Sequence, residues 1–543
     1  MGPVRVAAVQ FAVGRDVPAN LAACLRMIDR AADEGARIIV LPEFCNHQSW
    51  YEDRADAARR ACTPDGRFLS AIADRARAHR AHVKVNVTLA DGGRITVASL
   101  LYGPDGELLG RSDKLTLMGA EGDHLDPGTG PGPVLATPHG RLGMYACMEG
   151  VTSDVPRDLA VRGAQVLLNS LNSFAVDEAS LHVPVRAAEN RVWAVAANKV
   201  GPLLPTELLP AIAERLGVPP ESLAGAGESQ IVAPDGTVVA KGPRTGEAVV
   251  AADIDPALAD RKTRPDGTDL FASRRPRLYA PIAARPRPRA APPGNERLDA
   301  AVVRSPGRVG EAARAGAELI VLPELAFGAD AAPADVVGAL AEALNGTTAH
   351  AVTSVRAGGT HTSYLVNADG LAGTQPQLHS CARHSGWATE LGDRLDVFAL
   401  PWGRLVLVTG DDALYPEVFR LAAIADADAV AVPFAPAQEW ETALGLPERA
   451  AENRLNVIAS GPAGGLILAL PADFTLWTSW QGPFEGRISH PLVTRATEPV
   501  TVAAVHPAQA VNRFVSKNTD LVGGRPAHAV AALAGAEPSG AAR

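Results

Sequence analysis

The passage GRLGMYACMEG at 140–150 opens as GRLVLVTGDDA does at 403–413, and RAAENR at 186–191 returns unchanged at 449–454. Both matches lie 263 positions apart, so two stretches of the chain stay in register across about fifty residues without a gap. This duplication constrains the fold more than any other feature, because repeated sequence implies one packing plan used twice. GARIIVLPEF (35–44) likewise returns as GAELIVLPEL (316–325), and TDL at 268–270 recurs at 519–521, with an Arg-Pro pair soon after each. At 543 residues the chain exceeds one ordinary core. The expected layout is a domain at 1–279, a Pro/Arg-rich linker at 280–296 unable to pack as an element, a second domain at 297–526 and a frayed Ala/Gly-rich tail at 527–543.

Each copy begins with an apolar strand, VRVAAVQF or LDAAVV. In the first, a helical run NLAACLRMIDRAADEGA precedes the β-branched RIIVL, and LGMYAC and VLLNS flank the helical RDLAVRGA. Strands alternating with helices predict an α/β layered fold. Hydrophobic residues at 47% and charged ones at 20% fit an ordinary globular protein. A net charge of −9 argues against a nucleic-acid partner. No apolar run is long enough for a bilayer and MGPVRVAAVQF has no signal-peptide pattern, so no membrane partner and a cytoplasmic location are expected. Five scattered cysteines without a CxxC pair predict reduced thiols and no zinc. GTGPG (128–132) lacks the Gly-Lys and helix of a phosphate loop, and His379 and His384 are poorly spaced for one metal. No cofactor and no metal are expected.

Three residue types in the first copy suit one reaction. Glu43 follows IIVLP at a strand mouth, Lys114 sits in GRSDKLTLMGAE and Cys147 ends LGMYA. A thiol attacking a carbonyl or nitrile carbon needs a base, which a partly desolvated carboxylate supplies. An ammonium beside it favours the thiolate and steadies negative charge on the adduct, and the Met148 N–H is a further donor. Taken singly, a strand-end cysteine reads as a small core residue, the glutamate as a cap and the lysine as a solvated surface group.

In this order, and with RAAEN at 186–190 and APDG at 233–236, the chain resembles the nitrilase superfamily of carbon–nitrogen hydrolases. The resemblance implies an αββα four-layer sandwich, repeated in tandem and closed as an intramolecular pseudo-dimer, with room for a further homo-oligomer. It also implies that Glu43, Lys114 and Cys147 are catalytic and that Glu121 positions the base or the substrate. The implied activity is hydrolysis of a small amide through a thioester. CMEGVTSDVPR departs from the amidase pattern, and its Glu149 is similar to the Cys-Trp-Glu of nitrilases, so nitrile and N-carbamoyl substrates stay open. A binding or scaffold protein is the alternative outside enzymes.

The repeat acts as an internal control. Gly410 stands where Cys147 does, and pairing DKLTLMGAE with ARHSGWATE sets Lys114 against Arg383, Glu121 against Glu390 and Glu43 against Glu324. The second copy therefore reads as catalytically silent, with Cys381 on the wrong segment to substitute. Arg186, Glu189 and Arg191, kept in both copies, read as structural. An insertion at 202–227, with Thr206 as N-cap and Gly217 as C-cap of a short helix, is expected as a lid or a surface helix.

Overall fold

The computed structural model describes residues 2–471, 486–487 and 489–535. In the first half, one six-stranded sheet runs in spatial order Ala248–Ile254, Val4–Gln10, Ile38–Val40, His82–Asp91, Arg94–Tyr102 and Leu108–Asp113. A second runs Val238–Lys241, Gln230–Val232, Trp193–Ala197, Val166–Ser170, Gly140–Ala146 and Val134–Thr137. Both are mixed, with parallel pairs at the centre and antiparallel pairs at the rims.

Alternation along the strands explains the layering. Val6, Ala8, Ile38 and Val40 face Leu142, Met144, Leu168 and Val195 to form the core between the sheets. The next residues along, Ala7, Val9 and Ile39, face outward onto Leu21, Cys24 and Ile28 of the helix Val17–Asp33 and onto Leu69 and Ile72 of the helix Arg67–His79. The second sheet is covered by the helices Asp154–Val161 and Val183–Asn190. The result is the expected αββα sandwich. The second half repeats it with two six-stranded sheets, an inter-sheet core containing Val302, Val321, Leu407 and Ala431, and the helices Pro416–Ile424 and Leu446–Asn453 outside.

Helices covering a sandwich should show a polar face, yet Asp154–Val161 and Val183–Asn190 are buried along almost their whole length. The reason is that they meet the equivalent helices of the other half, and the contacts are reciprocal. Arg157 Nε donates to Glu417 at 2.9 Å while Arg420 Nη2 donates to Asp154 at 2.7 Å. Arg186 pairs with Glu452 at 2.8 Å while Arg449 pairs with Glu189. Each residue of one pair lies 263 positions from its counterpart in the other, the pattern of a self-complementary two-fold contact. Two hairpins add a third exchange: Thr519 accepts from the Gly119 N–H at 2.9 Å and Thr268 from the Ala382 N–H at 2.8 Å.

Two expectations change. Segment 280–296 does not run free: Ala280–Ala283 forms a helical turn, and Arg287 and Arg289 bond Asp426 (3.0 Å) and Asp428 (2.5 Å) of the second half. The start of the tail is packed too, because Val530 and Leu533 bury against Tyr279, Ile282 and Leu421. Residues 536–543 lie outside the described residues. Among the described residues, no helix is long and apolar enough to cross a membrane.

Candidate active site

Cys147 follows the strand Gly140–Ala146 and opens the helical turn Met148–Val151. Its φ of 49° lies in the left-handed region, uncommon for a residue with a Cβ. The bend is held by its own N–H, which donates to Ser170 O at 2.9 Å and Asn169 Oδ1 at 3.0 Å. Met148 is the first residue of the turn, where an N–H has no intrahelical acceptor.

Glu43 is fully buried, and its backbone N–H donates to Leu171 O at 3.1 Å. Lys114 Nζ donates to Glu43 Oε1 at 2.7 Å and to both Glu121 oxygens at 2.9 and 3.1 Å. The other Glu43 oxygen, Oε2, has no hydrogen-bond partner among the described residues. One carboxylate oxygen is thus pinned and the other left open. Burial works against the Lys114 charge, but Glu121 and Glu43 outweigh it and hold the ammonium well above its ordinary pKa. Burial pushes Glu121 up, with Lys114 opposing.

The Cys147 thiol is buried. Burial and then repulsion from Glu43 push its pKa well up, against the opposing pull of Lys114 and the Asn172 N–H. At rest the sulfur carries its proton; Lys114 alone does not make a thiolate. Glu149 lies below the site: it accepts the Leu115 N–H at 2.9 Å and the Ala146 N–H at 2.8 Å, tying the Lys114 segment to the strand that carries Cys147. Burial raises it to about 7.

Beside Cys147 lies a cavity of about 60 Å³, lined by Asn172, Phe174 and Glu178 of the first half and by Ser489 and Val515 of the second. The sequence reading had none of these. Asp177 and Glu178 belong to no motif singled out above, and nothing local announces that residues hundreds of positions away complete the wall. Lys84 was also missed, although a lysine inside HVKVNV is a signal. Buried between the sheets, it donates to Tyr145 O and Ser170 Oγ, both at 2.8 Å, and burial lowers it to about 7.

The insertion does not reach the cavity. Its helix, Leu209–Leu216, starts after Leu208 and not at a Thr206 cap, ends at Gly217 in the left-handed conformation, and packs on Val218 and Leu223. No residue of 202–227 lines the space beside Cys147.

In the second half the pairing of Lys114 with Arg383 fails. The Leu378 N–H donates to Asp412 at 2.7 Å as the Leu115 N–H does to Glu149, so Gln377, 263 positions after Lys114, holds the lysine's place. The position of Glu121 falls by the same count on His384, while Glu390 is exposed. Arg383 reaches in from a short 3₁₀ turn to bond Glu324 at 2.8 Å and Asp411 at 2.5 Å. Burial would raise Glu324, but His384 and Arg383 hold it at about 2. Gly410 keeps the left-handed bend, with φ of 56°. A Cβ there would stand 2.8 Å from Glu324 Oε2 and 2.9 Å from the His361 ring, so the space for a sulfur is closed. Burial pushes Cys381 up to about 12. Glu324, His361 and His384 converge within 4.8 Å, a group that does not include His379. Both His361 nitrogens are already engaged, by Gln377 at 2.7 Å and Ser354 at 2.8 Å, and Arg383 forks onto the carboxylate, which disfavours a cation.

Residues 5–263 match the family profile described as carbon-nitrogen hydrolase. The chain is 27% identical to a nitrilase of Pyrococcus abyssi over 261 residues, 48% of this chain and 92% of that protein. It is 27% identical to the omega-amidase NIT2 of Bos taurus over 293 residues, 51% of this chain and 98% of that one. Among solved structures, the C. elegans NitFhit protein aligns with a TM-score of 0.43 at 23% identity, covering 51% of this chain and 66% of that one. The NitN amidase from Nesterenkonia sp. AN1 aligns with a TM-score of 0.39 at 23% identity, covering 48% and 96%.

Proposed function

Residues 5–263 belong to the carbon–nitrogen hydrolases of the nitrilase superfamily, and from that premise we propose that this half hydrolyses a small amide with Cys147 as nucleophile. The observation that carries the reading is the divided Glu43 carboxylate: Oε1 is fixed by Lys114 and Oε2 is unengaged in the same buried group that acts on the Cys147 thiol.

Glu43 Oε2 takes the Sγ proton as sulfur attacks the carbonyl carbon, which explains how a thiol with a raised pKa still reacts. The oxyanion that forms is met by the Lys114 ammonium and the Met148 N–H. Collapse breaks the C–N bond, and the proton held on Glu43 leaves with the amine as ammonia. Water then gives a proton to Glu43 and attacks the thioester carbon; the acid departs and the proton returns to sulfur. Glu121 positions Lys114, and Glu149 positions the two segments that carry Lys114 and Cys147. The omega-amidase among the similar proteins favours an amide.

The second half, without thiol or lysine at the matching positions, serves in this reading as a built-in partner that closes a pseudo-dimer within the chain and walls the cavity. Ammonia release from panels of small amides, nitriles and N-carbamoyl compounds tests the assignment. Amide turnover is expected, falling by at least about 10³-fold in Cys147→Ala. Unchanged turnover in that variant would remove the mechanism, and turnover of nitriles alone would move the activity to a nitrilase.

A further inference from the structure

The cavity beside Cys147 is lined by a carboxyl group that forms no ion pair among the described residues. Glu178 is 4% exposed and lines that space, and its Oε2 has no hydrogen-bond partner among the described residues. The charged groups acting on it are His182, Asp177, Glu448 and Glu43. The cation among them is already engaged: His182 Nδ1 lies 2.8 Å from Glu448 and its Nε2 3.6 Å from Asp177. Burial consequently pushes Glu178 up to about 7. A buried carboxyl without a counter-ion costs stability, so its presence needs a reason.

The silent half supplies one. Glu178 opens the wide turn Glu178–His182, and Glu441, 263 positions on, opens the matching turn Glu441–Gly445. Glu441 is neutralised: Arg264 Nε donates to its Oε1 at 3.0 Å and Nη2 to its Oε2 at 3.1 Å, while Nη1 reaches Asp411 at 2.9 Å. Asp411 follows Gly410 as Met148 follows Cys147, so Arg264 is tied to the residue next to the position that matches the nucleophile.

Arg264 stands four residues before Thr268 in one of the two exchanged hairpins. Four residues before Thr519 in the other stands Val515, which lines the cavity beside Cys147. The hairpins correspond in their pairing, Thr263 with Asp269 and Phe514 with Asp520. Where the silent half's Glu441 receives a guanidinium from the hairpin of the first half, the first half's Glu178 receives only the uncharged Val515 from the hairpin of the second and has no ion pair among the described residues.

We propose that the substrate of the first site carries a cationic nitrogen with N–H donors, an ammonium or a guanidinium, which passes Val515 and pairs with Glu178 in the place Arg264 takes against Glu441. This rests on the hydrolase reading and names its substrate class: a short amide with a cation at its far end. A cavity of about 60 Å³ holds on the order of four to six waters, hence a substrate of roughly half a dozen heavy atoms.

The test compares kcat/KM for 3-aminopropanamide with that for its neutral isostere butanamide at pH 8, with guanidinoacetamide as a second cationic arm to separate ammonium from guanidinium. The intact chain is expected to favour a cationic amide by about tenfold or more, a charge-assisted hydrogen bond's worth. Glu178→Gln is expected to bring the ratio to about 1. Val515→Arg, which restores the silent half's arrangement, is expected to lower it too, and serves if Glu178→Gln fails to fold. A ratio at or below 1 in the intact chain, or one unmoved by both variants, overturns the proposal. Calorimetry on Cys147→Ala separates the two readings. If no amide is hydrolysed but 3-aminopropanamide binds and Glu178→Gln abolishes the heat, the pocket stands and the hydrolase falls; no binding of any cationic amide overturns the pocket.

Discussion

At position 147 a cysteine accepts a left-handed backbone, and at position 410 a glycine takes the same bend without a side chain. Gly410→Cys would not restore a site, because its Cβ would press on Glu324 and His361. The account expects that variant to be inactive in the second half and less stable by about 1–3 kcal/mol, measured by denaturant unfolding. Glu178 gives a prediction with a sign. Its pKa of about 7 in the fold exceeds the ordinary 4.5, so between those values the folded chain keeps a proton that the unfolded chain releases. Stability from this group is full below pH 4.5 and is lost as pH rises through 7, at about 1.4 kcal/mol per pH unit. Glu178→Gln should therefore raise the melting temperature at pH 8 and change it little at pH 5; an equal shift at both would contradict the unpaired burial. Glu43 and Cys147 could be singled out because each follows or ends an apolar run, IIVLP and LGMYA, whereas Lys114 follows the polar GRSD and was singled out by the family resemblance. Glu178 was not, since an acidic pair before a helical turn looks the same in sequence whether water or a cavity lies beyond it.

The helices show what periodicity can and cannot reveal. Asp154–Val161 and Leu446–Asn453 carry charged residues, and Asp154, Arg157, Glu448, Arg449 and Glu452 are buried against the other half. Sequence gave the element, and only the second copy across the interface explains the charge. The alignment error has a similar cause. Lys114 was set against another cation, Arg383, whereas the segment is fixed by backbone N–H groups of Leu115 and Leu378 on Glu149 and Asp412. Removing either carboxylate strands two buried N–H donors. Glu149→Ala and Asp412→Ala are each expected to cost about 1–3 kcal/mol in unfolding free energy, with Glu149→Ala also slowing turnover by loosening the Lys114 segment. A Glu149→Ala protein of unchanged stability would show that the segment is held by other contacts.

For the whole molecule, reciprocity across 263 positions links fold to function. The ion pairs Arg157–Glu417 and Arg420–Asp154 bury four charges between the halves. Taking away Arg420 leaves Asp154 buried without a cation, whereas Glu417 keeps Arg274 at 3.0 Å when Arg157 is lost. Arg420→Ala is therefore expected to destabilise the chain by about 3–5 kcal/mol and Arg157→Ala by less, and a loss below 1 kcal/mol in Arg420→Ala would indicate that water reaches the interface. Residues 1–279 alone would expose the same charged and apolar face, and light scattering should find them self-associated; a fully active monomer would show the second half to be dispensable. That half also reaches the cavity through Ser489 and Val515, a contribution no motif in either copy announced. The central claim concerns one bond, from Cys147 sulfur to a carbonyl carbon. Acid-quenched protein from a reaction with a turned-over amide, weighed intact and then mapped by peptide, tests it most directly. The account predicts a mass gain equal to the acyl group, borne on the Cys147 peptide and absent in Cys147→Ala; turnover with no adduct, or an adduct on another residue, would contradict it.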